Sequence, residues 1–145
     1  MDRDQFTIRS YRPDDEASVI ALWSACGLVV PQNDPKRDIE RKLRVNPEWF
    51  LVGHIAGEIV ATCMAGYEGH RGWINYLAVA PPHRRRGLAT QLVREAEKRL
   101  GEAGCPKINL QIRTSNTGVI EFYKTLGFAT DDVASLGKRL EPDRS

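Results

Sequence analysis

From Trp73 to Ala103 the chain passes from a run of strand formers, Trp73 to Val79, through Pro81 and Pro82 into an apolar stripe at helical spacing, Leu88, Leu92, Ala96, Leu100 and Ala103. The prolines stop the strand, because neither can donate to a ladder. The stripe lies opposite Arg94, Glu95, Lys98 and Arg99, so this helix has one face to bury. A strand that feeds an amphipathic helix needs a sheet and a helix layer packed together, which commits the chain to a mixed α/β arrangement. Gly101 and Gly104 close the helix, and Lys107 to Gln111 predicts the next strand.

The remaining pattern fills in around this unit. Phe6 to Tyr11 predicts a short strand stopped by Arg12-Pro13, after which Asp14 or Asp15 can cap a helix that buries Val19, Leu22, Trp23 and Cys26 and ends at Gly27. Leu28 to Pro35 reads as a loop, and Asp34 as the cap of a second short helix through Arg44. Trp49 to His54 and Glu58 to Gly66 are strands joined through Ala56-Gly57, a hairpin signal. The polar loop Tyr67 to Gly72 leads into Trp73 to Val79, giving an antiparallel meander. Further on, Thr114-Ser115-Asn116 opens a helix with Val119, Phe122, Tyr123 and Leu126 on one face and Gly127 at its end. Phe128 onward and Ala134 to Leu140 are expected to pair as final strands.

At 145 residues and 41% hydrophobic, the chain fits one domain over 1–145, with 141–145 as a flexible polar tail. The N-terminus has acidic residues and no apolar stretch of the kind a secretory signal needs, and no run reaches membrane-spanning length. Cys26, Cys63 and Cys105 are odd in number and far apart, as expected of buried, reduced thiols in a cytoplasmic protein. His54 and His83 lack ligand partners at suitable spacing, so no metal is expected. Ser24, Ser115 and Ser135 lack the context of a hydrolase nucleophile. Trp23, Trp49 and Trp73 sit in apolar patterns, as core or groove wall.

The turn before the long helix, Arg84-Arg85-Arg86-Gly87-Leu88-Ala89-Thr90, carries the chemistry. Free N–H groups at a helix start, the helix dipole and three guanidinium groups together suit an anion, and a glycine lets phosphate approach the backbone. By itself such a cluster is as readily a solvated surface. It matches neither G-x-x-x-x-G-K-[ST] nor G-x-G-x-x-G.

Asn75 to Val79 followed by Pro81 to Ala89 resembles the acetyl-CoA signature, [QR]-x-x-G-x-[GA], of the GNAT superfamily of N-acetyltransferases. Asn116-Thr117-Gly118-Val119-Ile120-Glu121-Phe122-Tyr123-Lys124-Thr125-Leu126-Gly127-Phe128 is similar to that family's second signature, N-x-x-A-x-x-F-Y-x-x-L-G-F, with Gly118-Val119 where alanine is common. Leu22-Trp23, Asn33-Asp34-Pro35, Tyr67 to Gly72, Gly104 to Ile108 and Ser135 to Leu140 also resemble the small bacterial YpeA-type acetyltransferases.

The resemblance implies a GNAT fold: a mixed, mostly antiparallel sheet of six to seven strands with about four helices, and acetyl-CoA in a cleft between splayed strands. It implies cofactor contacts from Leu77, Ala78, Val79, Arg84, Arg85, Arg86, Gly87, Leu88, Ala89, Thr90, Asn116 and Tyr123. It implies direct attack by a primary amine of a small molecule or protein, with Tyr123 donating to the departing sulfur. Helical spacing alone favours a core aromatic at Tyr123, and the Phe122-Tyr123 and Leu126-Gly127-Phe128 context favours the donor role instead. Glu68 and His70, in the loop before Trp73, are the nearest candidates for a general base, and both are equally polar loop residues.

Asp34, Asp38 and Glu68 could attract a cationic acceptor or act as caps and surface charges. A non-catalytic acyl-CoA sensor of the same fold is the rival reading. A net charge of +2 argues against a nucleic-acid partner, and no membrane partner is expected. Edge strands near the C-terminus are able to pair across a homodimer.

Overall fold

The computed structural model describes residues 5–141. Its five strands, β1 (Phe6–Ser10), β2 (Phe50–Ile55), β3 (Glu58–Tyr67), β4 (Gly72–Val79) and β5 (Ile108–Asn109), form one sheet in the order β1-β2-β3-β4-β5. Every pairing is antiparallel except β4 with β5, which is parallel. Four helices complete the fold: α1 (Glu16–Ala25), α2 (Pro35–Lys42), α3 (Leu88–Glu102) and α4 (Thr117–Thr125).

Two apolar clusters lie on the sheet. On one, the α3 stripe of Leu88, Leu92, Val93, Ala96 and Leu100 packs with Leu51, Val60, Cys63, Ile74 and Tyr123. Burial of each of those leucines is worth about 1.5–3 kcal/mol, which is why the stripe fixes the helix so firmly. The other cluster joins Val19, Leu22 and Trp23 of α1 and Ile39 of α2 to Phe50, Val52, Met64 and Ala78. The sheet is thus covered on both sides.

Local signals act as the residues dictate. Asp34 caps α2, its carboxylate accepting from the N–H groups of Lys36 and Arg37. Ala56 and Gly57 take φ of 52° and 80°, as a tight hairpin turn requires. Asp15 stands at the N-cap of α1 without accepting from that helix. Its carboxylate instead takes the Arg12 N–H at 2.8 Å and two bonds from Arg9, at 2.7 and 3.0 Å. The second helix stops at Lys42, two residues short of the expected Arg44.

Where six to seven strands are expected, the described residues form five. Phe128 onward and Ala134 to Leu140 do not form strands, and Val133, Leu136 and Leu140 are 78%, 92% and 91% exposed. The stretch is held beside β5 by side chains rather than by a ladder. Lys107 and Asn109 both bond Asp131, at 2.9 and 2.8 Å, and Gln111 bonds Ser135. A β5 of two residues is too short an edge to template further strands.

Candidate active site

The sheet opens where β4 meets β5. Only Gly72 and Trp73 of β4 pair with β5, opposite Ile108 and Asn109. Gly72 is there because side chains come close: a Cβ would stand 2.8 Å from Cys105 Sγ and 3.2 Å from Leu100 Cδ1. From Ile74 to Val79, β4 has no strand neighbour on that side among the described residues.

Just past the fork, β4 bulges. The β3 partners run from Thr62↔Ala78 to Met64↔Asn75, so Cys63 alone faces Tyr76 and Leu77, and Tyr76 takes φ 50°. Positive φ is unfavourable for a tyrosine and needs support. It comes from a buried relay: the Trp23 indole N–H donates to Thr62 Oγ1, and Thr62 donates to the Tyr76 carbonyl, both at 2.9 Å. The Trp23 and Tyr76 rings stack with centroids 3.9 Å apart. The Tyr76 hydroxyl donates to Asp38 Oδ2 of α2 at 2.6 Å.

At its far end β4 is tied to the basic turn. The Val79 carbonyl accepts from Arg84 Nε at 3.0 Å and from the Cys26 thiol at 3.4 Å. Arg85 and Gly87 have φ of 64° and 75°, which swings the chain into α3. Gly87 is the N-cap, and no side chain caps the helix. The first-turn N–H groups of Leu88, Ala89 and Thr90 are thus left to other acceptors. Leu88 is buried, so only its backbone faces the turn. Arg86 is within 3.0 Å of His83 Nδ1.

Tyr123 sits in the core cluster that also holds Leu88, edge-on to Phe122 and Phe128 at 5.2 and 5.3 Å. Burial, reinforced by Cys63, raises its pKa. Its hydroxyl makes no hydrogen bond to any described residue. The phenol borders a cavity of about 1370 Å³ between β5 and the 128–136 stretch, lined also by Trp73, Leu110, Ile112 and Phe128. Leu77–Val79, the basic turn and Asn116 do not line that cavity. Asn116 caps α4, its Oδ1 accepting from the Val119 N–H at 3.4 Å.

Glu68 is exposed in the β3–β4 loop and folds onto its own turn, accepting from the N–H of His70 at 2.6 Å and from that of Arg71. Those bonds hold its carboxyl below the usual range. Of the cysteines, Cys63 is buried, and desolvation pushes its thiol up to about 12; Cys26 and Cys105 are half-buried. Among the described residues no group of three or more His, Cys, Asp or Glu is placed to hold a metal ion, and no helix is long and apolar enough to cross a membrane.

Trp23, Thr62, Tyr76 and Asp38 enter the site by contacts that join residues far apart in sequence. The one local hint is Thr62, a lone hydroxyl within the apolar run Val60 to Ala65.

The sheet forks beside a helix N-terminus that follows a basic turn, and comparison with known proteins identifies the family that shares this arrangement. The acetyltransferase (GNAT) family matches residues 16–128. An acetyltransferase of Pectobacterium atrosepticum is 50% identical over 137 residues, covering 94% of this chain and 97% of that one. The chain belongs to the GNAT acetyltransferase family. Among solved structures, Ard1 from Thermoplasma volcanium superposes with a TM-score of 0.78 at 27% identity, covering 86% of this chain and 82% of that one. AAC(6')-Iy, solved with a CoA-containing bisubstrate analog, shares the fold at 19% identity, with a TM-score of 0.76 and coverage of 93% and 99%.

Proposed function

We propose that the chain transfers the acetyl group of acetyl-CoA to a primary amine, both substrates being bound at once. The observation that carries this reading is a continuous path: the unpaired edge of β4 from Ile74 to Val79 runs to the uncapped N-terminus of α3.

The turn fits a pyrophosphate. Uncapped N–H groups supply donors, Arg84, Arg85 and Arg86 supply charge, and nothing lies within 4 Å of where a Gly87 Cβ would stand. Backbone groups of Leu77, Ala78 and Val79 would hold the pantetheine amides as a neighbouring strand would. The Val79 carbonyl is already shared by Arg84 and Cys26, which leaves Val79 its N–H to offer. Asn116 spends Oδ1 on its helix, so its amide NH₂ is the group that would reach the donor.

Acetyl-CoA supplies an activated thioester. The amine nitrogen bonds to the acetyl carbon, the C–S bond breaks, and an amine proton ends on the departing thiol. Tyr123 would steady that sulfur by hydrogen bonding. Full proton transfer from a phenol of pKa ~10 to a thiolate of pKa ~8.5 is already uphill by ~2 kcal/mol, and burial of Tyr123 raises the cost. No general base is assigned: the Glu68 carboxylate is taken up by the N–H groups of His70 and Arg71, which favour its charged form.

Incubation with acetyl-CoA and a panel of amines, with release of free thiol as the readout, tests the proposal. Binding without thiol release would favour the sensor reading. Absence of acetyl-CoA binding would overturn both. The neamine moiety of the AAC(6')-Iy complex belongs to a protein only 19% identical and does not identify the acceptor here.

A further inference from the structure

The carboxylates best placed to draw a cationic acceptor are engaged within the fold. Asp34 caps α2, Glu68 closes its own turn, and Asp38 accepts from the Tyr76 hydroxyl and from Arg41 at 3.3 Å. The α2 side presents positive charge instead. Among the described residues, an open cavity of about 760 Å³ is lined by Arg41, Arg44, Lys138 and Arg139 together with the carboxylate of Glu141. Arg44 and Lys138 have no ion pair among the described residues.

Two relationships give this cavity a meaning beyond surface charge. The first is its link to the fork: the Tyr76 hydroxyl bonds Asp38, and Asp38 bonds Arg41, whose side chain lines the cavity. The second is that a carboxylate is already seated there. Glu141, a hundred residues along the chain from Arg41, places Oε1 3.0 Å from Arg41 and 3.8 Å from Arg37. Arg41 is taken up by Asp38 and Glu141, which leaves Arg44 and Lys138 as the rim cations without an ion pair among the described residues, and guanidinium forks suit carboxylate or phosphate oxygens.

We propose that this cavity is the anion subsite of the acceptor: the amine that is acetylated belongs to a small molecule that also carries a carboxylate or a phosphate. The inference rests on the acyl-transfer reading above and narrows it, since a polycationic amine would be repelled from such a rim.

Matched pairs of amines test it, with thiol release as the readout: alanine against alaninamide, phosphoethanolamine against ethanolamine, and spermidine as the polycation. The anionic member of a pair should have the higher kcat/KM by about tenfold or more, as one charge-assisted hydrogen bond gives. Alaninamide has the less basic amine, which biases that pair against the expected result. In the Arg44→Ala/Lys138→Ala variant, both positions being exposed, the preference should collapse. The two pairs distinguish a carboxylate from a phosphate.

Equal kcat/KM within both pairs, a preference for spermidine, or a preference that survives the double variant would overturn the inference while leaving acyl transfer standing. If no amine releases thiol, the subsite is judged by titrating the protein with succinate and with inorganic phosphate, following the backbone amides of Arg44 and Lys138 by NMR. Saturable shifts lost in the double variant would uphold the anion site, and their absence would remove it.

Discussion

The indole N–H of Trp23 donates to the hydroxyl of Thr62 at 2.9 Å in a part of the sheet where both residues are fully buried. Thr62 passes the bond on to the carbonyl of Tyr76, the residue with positive φ at the β4 bulge. Thr62→Val strips a partner from each neighbour, at about 2–4 kcal/mol in total, whereas Thr62→Ser keeps the hydroxyl. Urea denaturation should show the valine variant to be the less stable. Its kcat at saturating acetyl-CoA should fall about tenfold under conditions where it is still folded, with serine close to wild type. Equal behaviour of the two variants would mean that the hydroxyl does not hold the bulge.

Tyr123→Phe separates the chemistry from the packing. The hydroxyl makes no hydrogen bond to a described residue, so thermal stability should change little. Turnover should drop by ~10²- to 10⁴-fold with acetyl-CoA affinity nearly unchanged. Because burial raises the pKa, the wild-type phenol stays protonated across neutral pH. The stability linked to that shift is lost only as pH rises past the unfolded value of ~10.

Gly87→Ala probes the turn. Its φ of 75° disfavours a side chain, yet no protein atom lies within 4 Å of the new methyl. The folding cost should therefore be about 1–2 kcal/mol, from the backbone alone. A rise in the acetyl-CoA Kd of about tenfold or more would show that the methyl meets the ligand, and an unchanged Kd would place the pyrophosphate elsewhere.

Asp15 makes stability sensitive to acid. Hydrogen bonding from Arg9 is the main cause that holds its pKa below the usual value of 3.8. Since the folded value is the lower, the stabilisation is present above the unfolded pKa and is lost as pH falls through the folded one. Asp15→Asn should cost about 2 kcal/mol near neutral pH and flatten the acid limb of a plot of stability against pH. An unaltered acid limb would show that this pair is not the source.

Glu68→Gln should leave the pH–rate profile as it is, because the carboxylate is taken up by the N–H groups of His70 and Arg71. Loss of an ionisation near neutrality in that variant would restore Glu68 as a base.

What could be read along the chain depended on the range of the forces involved. The α3 stripe, the Asp34 cap and the Ala56-Gly57 turn are local devices, and each shows in a few consecutive residues. The bulge at Tyr76 is not local: it depends on Trp23 and Thr62, 53 and 14 residues away by their numbering. The final strands do not form. Ala134 to Leu140 has no β-branched or aromatic residue, and side-chain bonds from Lys107, Asn109 and Gln111 to Asp131 and Ser135 stand in place of a ladder. Along the chain Asp38 and Glu68 are as readily acceptor-binding charges as caps or surface charges, because their partners, Tyr76 and the next turn's own N–H groups, are visible only once the chain is folded.

Pairing of β4 and β5 over just two residues leaves a strip of bare peptide groups from Ile74 onward. Every amino acid except proline carries the same such groups, so substitutions along that strip repaint its faces without erasing its edge. The cationic cavity beside α2 is made of side chains, and one nucleotide change can rewrite it. In the proposed reaction, evolution could therefore exchange what is acylated many times over while the acyl donor stays the same.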